Sequence, residues 1–386
     1  MITSFREIDA VVVVHEGIPG HYNQSLGIAE RIHELTGAKI YEAKVPNFEK
    51  LQRLLKVRKN LENLPTLSPD ELKKWLQRAE GLQCFEEITE WFLKTGLCPE
   101  KSLIISAGSR VGAYTYAISR LLSCRSASIM LNKYLKSSNY DYVIMPEHKI
   151  YLILAETKGS LKPDNVFALH GAANRISSER LLNEGQRILQ EYPEKRKKKW
   201  AIFLGGESAI QKLPSPFVQP VLEKIWEDAA KEEADIYLTT SRRTDRVVEQ
   251  MIIDVFSKRE NTGLIWLASE KEGNPVPGFL GIAELVYCSE DSVTMIWESL
   301  TAKKNVVLIP CQPAETRRRI LLRTLRKKLG LLKGRPIRKV DDFRKKYDRI
   351  RAENWAKYID ETEKNFRAPD FDETLVISRW IVDNWH

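Results

Sequence analysis

The chain has 386 residues, 43% apolar and 29% charged, with a net charge of +9. That length accommodates two domains, or three, with real cores, and 19 Gly with 17 Pro are too few for a collagen-like or low-complexity chain. No apolar run approaches the roughly 18 residues of a membrane-spanning helix, the N-terminal MITSFREIDA lacks the pattern of a secretory leader, and five scattered cysteines point to a reducing, cytoplasmic compartment rather than a disulfide scaffold.

The almost all-valine stretch 10–14 reads as a buried strand. A glycine-containing turn at 16–21, a helix over about 23–35 and a strand at 39–43 follow. This is the opening of a doubly wound α/β domain. Residues 47–98 read as a helical insertion, with helices at 49–61 and within 69–93; Ser68 and Glu71 have capping-box spacing. Strands are expected at 103–106, 126–131, 142–145 and 166–168, with helices ending near 122 and spanning about 178–190. The basic run 195–199 reads as a hinge or the entry to a second domain. There, strands at 200–204, 235–239, 263–267, 285–288 and 305–309 alternate with helices near 217–232, 244–256, 277–282 and 293–300. The aromatic-rich tail 341–386 reads as helical. The resulting division is 1–192, 196–340 and a tail.

In open α/β sheets ligands bind outside the carboxyl ends of the strands, so the loops there carry the candidate site. Gly17 and Gly20 permit a tight turn ahead of a helix whose N-terminus favours an anion, with Asn23 and Gln24 as neutral hydrogen-bonding groups. His21 is the best-placed general base, because imidazole titrates near neutrality; Glu16 and His170 are the next candidates. The plain alternative is a capping loop with a surface histidine. Gly108 and Arg110 form another strand-to-helix turn, and Glu147 with His148 a loop pair. In the second half, Gly205, Gly206 and Ser208 offer an anion nest. Ser241, Arg242 and Arg243 offer a hydroxyl and two guanidinium forks suited to a diphosphate. Asp291 and Ser292 are good N-cap residues. Glu298, seven positions after Asp291, is placed to accept the hydroxyls of a ribose. Solvated arginines and ordinary caps are the structural alternatives.

No H-E-x-x-H, closely spaced Cys pair, G-x-S-x-G or P-loop is present, so metal and hydrolase-elbow chemistry have no sequence support. The stretch 317–339 carries 11 Arg or Lys and no acid, interleaved with leucines. It reads as a basic amphipathic helix for an anionic membrane surface, or as a sheet-covering helix. No nucleic-acid-binding pattern accompanies it.

Taken in order, these motifs resemble the mitochondrial-fission ELM-type family. The resemblance rests on Gly17 to Ala29, Pro146-Glu147-His148, Asn165-Val166, Ala168-Leu169-His170, Gly205-Gly206, Thr240 to Thr244, Asn274-Pro275 and Asp291 to Met295. Thr294, Val276, Phe167 and the residues flanking Glu298 depart from the family pattern. The resemblance implies a GT-B-like glycosyltransferase fold: two doubly wound Rossmann-type domains facing across a cleft, the first on the acceptor side, the second on the nucleotide-sugar side. The Gly20-His21 loop is more distantly similar to that of the MurG family, in which a loop histidine is proposed as base. The expected activity is metal-independent transfer of a sugar from a UDP-, ADP- or GDP-linked donor, with no tightly bound cofactor, to a lipid-linked or polysaccharide acceptor at the inner face of the plasma membrane. A catalytically silent scaffold and a nucleotide-sugar epimerase are the alternatives.

Overall fold

The computed structural model describes residues 7–46, 61–131, 134–150, 153, 163–208, 211–314, 347–361 and 366–385. The helix expected at 49–61 lies almost wholly outside them, as does all of the basic stretch 317–339. The chain forms two compact units, Met1–Arg175 with Asp372–His386, and Ile176–Phe371.

In the first unit, strands β1 (Ala10–His15), β2 (Lys39–Lys44), β3 (Ser102–Ala107), β4 (Arg125–Ile129), β5 (Tyr142–Pro146) and β6 (Val166–Leu169) form one sheet in the order β2-β1-β3-β4-β5-β6. Every pairing is parallel. A strand covered on both faces needs apolar side chains at every position, and β1 supplies them. Ala10, Val12 and Val14 enter one core and Val11 and Val13 the other, all with no exposed surface. Complete burial of a valine stabilises by roughly 1.5–3 kcal/mol.

Helix α1 (Pro19–Thr36) begins four residues earlier than its apolar pattern suggests, because Pro19 occupies the first helical position and pre-sets the backbone there. Gly20 and His21 therefore belong to the first helical turn and not to a preceding loop. Helices α2 (Pro69–Arg78) and α3 (Leu82–Thr95) fill the insertion. The expected capping box holds: the Ser68 hydroxyl accepts the Glu71 N–H, and the Glu71 carboxylate accepts the Ser68 N–H at 2.8 Å. Helix α4 (Gly112–Leu122) follows β3.

The second unit starts upstream of the expected boundary at 192–196. Helix α5 (Ser178–Glu191) packs within it, against α8 (Val276–Ile282). Glycines set that closeness: a Cβ on Gly281 would lie 2.1 Å from the Leu181 carbonyl oxygen. The basic run does not form a hinge. The N–H groups of Lys195 and Arg196 donate to Asp235 at 2.9 and 2.8 Å, delivering the chain into β7 (Lys198–Leu204).

A short strand, β8 (Gln211–Lys212), and α6 (Ser215–Lys231) lead to β9 (Ala234–Thr240), then α7 (Arg246–Phe256), β10 (Thr262–Trp266), α8, β11 (Leu285–Ser289), α9 (Val293–Thr301) and β12 (Asn305–Ile309). The pair β8–β13, with β13 at Gln312–Pro313, is antiparallel. After α10 (Asp348–Ala352) comes β14 (Ala356–Tyr358), which completes a parallel sheet in the order β10-β9-β7-β11-β12-β14. The tail is thus not wholly helical: Ala356 and Tyr358 are buried on either side of a partly exposed Lys357, the two-residue period of a strand. The last helix, α11 (Glu373–Asp383), packs on α1 in the first unit, where the Ser378 hydroxyl donates to the Ile28 carbonyl at 3.3 Å. No described helix is long and apolar enough to cross a membrane.

Candidate functional site

In each sheet the chain winds out from an inner strand in one direction and then in the other. The reversal falls between β1 and β3 in the first unit and between β7 and β11 in the second. Such switch points leave a crevice at the strand carboxyl ends.

At the first switch point, β1 ends in His15, and Glu16 follows it. Gly17 has φ +83°, a conformation costly for other residues, and turns the chain into α1. His21, in the first helical turn, reaches back: its Nδ1 lies 2.8 Å from Glu16 Oε1. The Glu16 side chain is 3% exposed, whereas that of His21 is 30% exposed. Among the described residues, Glu16 Oε2 is buried with no hydrogen-bond partner. A carboxylate at Nδ1 favours the tautomer with its proton there, leaving Nε2 as acceptor. Gly108, at the end of β3, makes room for the ring: a Cβ there would stand 2.7 Å from His21 Nδ1, and its φ is +102°. Gly108 therefore seats the histidine rather than approaching a ligand directly. Gly20 has open space at its Cβ position and no steric requirement for glycine.

Gln24 donates its amide to the Gly20 carbonyl at 3.1 Å and Ser25 its hydroxyl to the His21 carbonyl at 2.9 Å, so Gln24 serves the helix. Asn23 is half-buried beside them, and Arg110 is exposed. Tyr22 donates to Glu42 at 2.5 Å; burial first, then this bond, pushes its hydroxyl up to about 12. Burial pulls the His15 imidazole below its ordinary value.

His170, after β6, pairs with Glu147, after β5: Nδ1 and Oε2 are 2.7 Å apart. The side chain of His148 lies outside the described residues. Sequence reasoning missed the residue that holds this loop. Glu373, buried at the start of α11, accepts the N–H groups of His170 at 2.7 Å and Gly171 at 2.8 Å. A separation of some 200 residues leaves no local signal for that contact.

At the second switch point, three loops are bonded into one body. Asp291, whose side chain is 1% exposed, accepts the Gly206 N–H at 2.9 Å, the Ser289 hydroxyl at 2.7 Å and the Arg243 guanidinium at 3.0 Å. The Gly205 N–H donates to Ser289 Oγ at 2.7 Å, and the Thr244 hydroxyl bonds the Gly205 carbonyl. Both glycines are required by space. A Cβ on Gly205 would lie 2.2 Å from Asp291 Oδ2, and one on Gly206 1.9 Å from the Arg243 carbonyl oxygen.

The expected ligand groups are largely occupied. The Ser208 hydroxyl accepts the Gln211 N–H at 3.0 Å, and Ser241 Oγ accepts the Arg243 N–H at 3.1 Å. Arg243 is tied to Asp291 with 46% of its side chain exposed, and Arg242 is exposed as well. Ser292 is the N-cap of α9 yet makes no side-chain cap bond, and Asp291 lies before the helix. Asp291 and Glu298 therefore do not share a helical face. Glu298 is buried on α9, where burial pushes its carboxyl up to about 7 against the opposing pull of Arg180.

Glu290, next to Asp291, is a structural node. It accepts from Gln211 Nε2 at 3.0 Å, the Cys311 N–H at 2.9 Å and the Tyr358 hydroxyl at 2.8 Å, while the Tyr347 hydroxyl donates to its carbonyl at 2.6 Å. All five cysteines are free thiols. Among the described residues no three His, Cys, Asp or Glu side chains gather as a metal-binding group.

A family model described as Mitochondrial fission ELM1 matches residues 19–385, and the chain belongs to that family. Among curated proteins, none matches the sequence. Among solved structures, the chain is similar to the UDP-GlcNAc 2-epimerase of Methanocaldococcus jannaschii, at 12% identity and TM-score 0.50, covering 97% of this chain and 100% of that one. It is also similar to the UDP-GlcNAc 2-epimerase of Neisseria meningitidis, at 15% identity, TM-score 0.47 and coverage of 97% and 100%. A glycosyltransferase from Rickettsia africae matches at 9% identity, TM-score 0.42 and coverage of 97% and 96%. At such identities the likeness concerns the fold, which is GT-B-like, two doubly wound α/β units.

Proposed function

We propose that this member of the mitochondrial fission ELM1 family is a glycosyltransferase, moving a sugar from a nucleotide-sugar donor to a lipid-linked or polysaccharide acceptor of the cell envelope without a metal ion. The observation that carries the reading is the His21–Glu16 pair: a half-exposed imidazole held through Nδ1 by a buried carboxylate, at a strand-end switch point. That is the arrangement of an oriented general base.

In this reading the acceptor hydroxyl oxygen bonds to the anomeric carbon and its proton passes to His21 Nε2. The bond from that carbon to the phosphate oxygen breaks, and the nucleotide leaves. Glu16 orients the ring and stabilises the imidazolium that forms. The loops after β7, β9 and β11 receive the nucleotide, with the N–H groups of the first turn of α9, Ser292 and Arg242 as donors. Gly17, Asn23, Arg110, Glu147 and His170 belong to the acceptor side. The basic stretch 317–339 is the sequence basis for a cytoplasmic protein seated on an anionic membrane face.

Incubation with UDP-, GDP-, ADP- and CMP-sugars and envelope extract tests this, read by mass spectrometry of the acceptor fraction. Acceptor-dependent release of free nucleotide, lost in His21→Ala, is expected. Interconversion of the sugar without acceptor would make the protein an epimerase, and failure to bind any nucleotide would leave a scaffold.

A further inference from the structure

At the β7–β11 switch point, donors of the kind that hold a phosphate are bonded to a carboxylate of the protein itself. Asp291 fills the cradle opened by the missing Cβ of Gly205. It takes the Gly206 N–H at 2.9 Å, and the Arg243 guanidinium at 3.0 Å. A glycine-loop N–H and an arginine fork around an anion are what a phosphate oxygen would seek there. Here the anion belongs to the protein, and with 1% of its side chain exposed it is not a surface group awaiting a ligand.

The charges of the three loops point the same way. Among the described residues of the loops 205–208, 241–244 and 290–292 stand two guanidiniums, Arg242 and Arg243, against three carboxylates, Glu207, Glu290 and Asp291. Glu290 is saturated by Gln211, Cys311 and Tyr358, so no guanidinium is spent on it. Arg243 is paired with Asp291 through Nη2, with 46% of its side chain exposed. Among the described residues of these loops, the groups not bonded to a carboxylate are the exposed Arg242 and the N–H groups in the first turn of the nine-residue helix α9. Its N-cap Ser292 is 6% exposed and leaves the N–H groups of that turn without a side-chain cap. One guanidinium and one helix terminus match a single negative charge. A sugar linked through one phosphate carries one such charge and a sugar linked through a diphosphate carries two, so the second would enter a cluster already rich in carboxylate.

We propose that Asp291 is an internal stand-in for one phosphate, and that the β7–β11 switch point therefore takes a sugar donor linked through a single phosphate to its nucleoside, in place of the diphosphate-linked donor that the sequence suggests. The inference rests on the assignment of these loops to the nucleotide.

Titration calorimetry on the full chain with same-base pairs, CMP against CDP, UMP against UDP, AMP against ADP and GMP against GDP, tests both. The expected result is that the monophosphate of the preferred base binds at least tenfold more tightly than its diphosphate. Asp291→Asn, which keeps the side chain's shape and removes its charge, narrows or reverses that ratio. A diphosphate that binds the wild-type protein as tightly as the monophosphate, or more tightly, overturns the inference and leaves the nucleotide reading standing. Failure of all eight nucleotides to bind overturns the nucleotide reading itself, and the inference with it. The wild-type ratio decides the matter even if Asp291→Asn does not fold.

Discussion

The two switch points occupy equivalent places in two sheets of related winding, yet their chemistry differs. At the β1–β3 end a buried carboxylate keeps one oxygen, Glu16 Oε2, without a partner among the described residues, and its imidazole stands half-exposed. At the β7–β11 end both oxygens of a buried carboxylate are bonded, and the loops around Asp291 are hydrogen-bonded to one another. Folding tolerates unsatisfied buried polar atoms only where something else is gained. The contrast separates an end where one buried carboxylate oxygen stays unbonded among the described residues from an end whose loops are tied together by hydrogen bonds. Topology places both sites; the loop residues give each its chemistry.

The strongest test of this contrast is His21→Ala. Loss of an oriented base is expected to lower turnover by about 10²–10⁴-fold with donor affinity nearly unchanged, measured by acceptor-dependent nucleotide release beside calorimetry. A fall in donor affinity instead would merge the two roles.

Next comes Glu298. Its carboxyl is raised to about 7 by burial, from an ordinary value of 4.5. A native state that holds a proton the unfolded chain releases loses stability as pH rises from 4.5 towards 7, and the loss is complete above that window. At ~1.4 kcal/mol per pKa unit the loss is on the order of 3 kcal/mol. Glu298→Gln should flatten that slope in urea unfolding at a series of pH values; a slope unchanged by the substitution would place the titration elsewhere.

A smaller effect is expected at the rigid end. Gly206→Ala puts a Cβ 1.9 Å from the Arg243 carbonyl oxygen. Overpacking of this kind costs about 1–3 kcal/mol and should appear as a lowered melting temperature. Nucleotide affinity should fall with it, since the backbone that would have to move is the receptor. The least effect belongs to Arg242→Ala, about tenfold weaker nucleotide binding at unchanged stability, the scale of one partly solvated charge-assisted hydrogen bond. Equal losses for Arg242→Ala and Arg243→Ala would show that Arg243 leaves Asp291 for the ligand.

Local sequence determined much of this molecule. The valine run in β1, the two βα successions, Pro19 opening α1 and the Ser68–Glu71 box are set by neighbours within a few residues, where side-chain period and capping act directly. The loops that carry the candidate site were legible for the same reason, as glycine turns at strand ends, and the ordered motifs pointed to the family. The roles inside those loops were not legible. That Asp291 binds the glycine loop, that Gly108 seats His21, and that Glu373 holds the His170 loop from the far end of the chain are consequences of contacts between residues 85 to more than 200 positions apart. A carboxylate reads the same in a sequence whether it faces solvent, a backbone N–H or a guanidinium. Only packing decides which of these it meets, because only packing removes the water that would otherwise satisfy it.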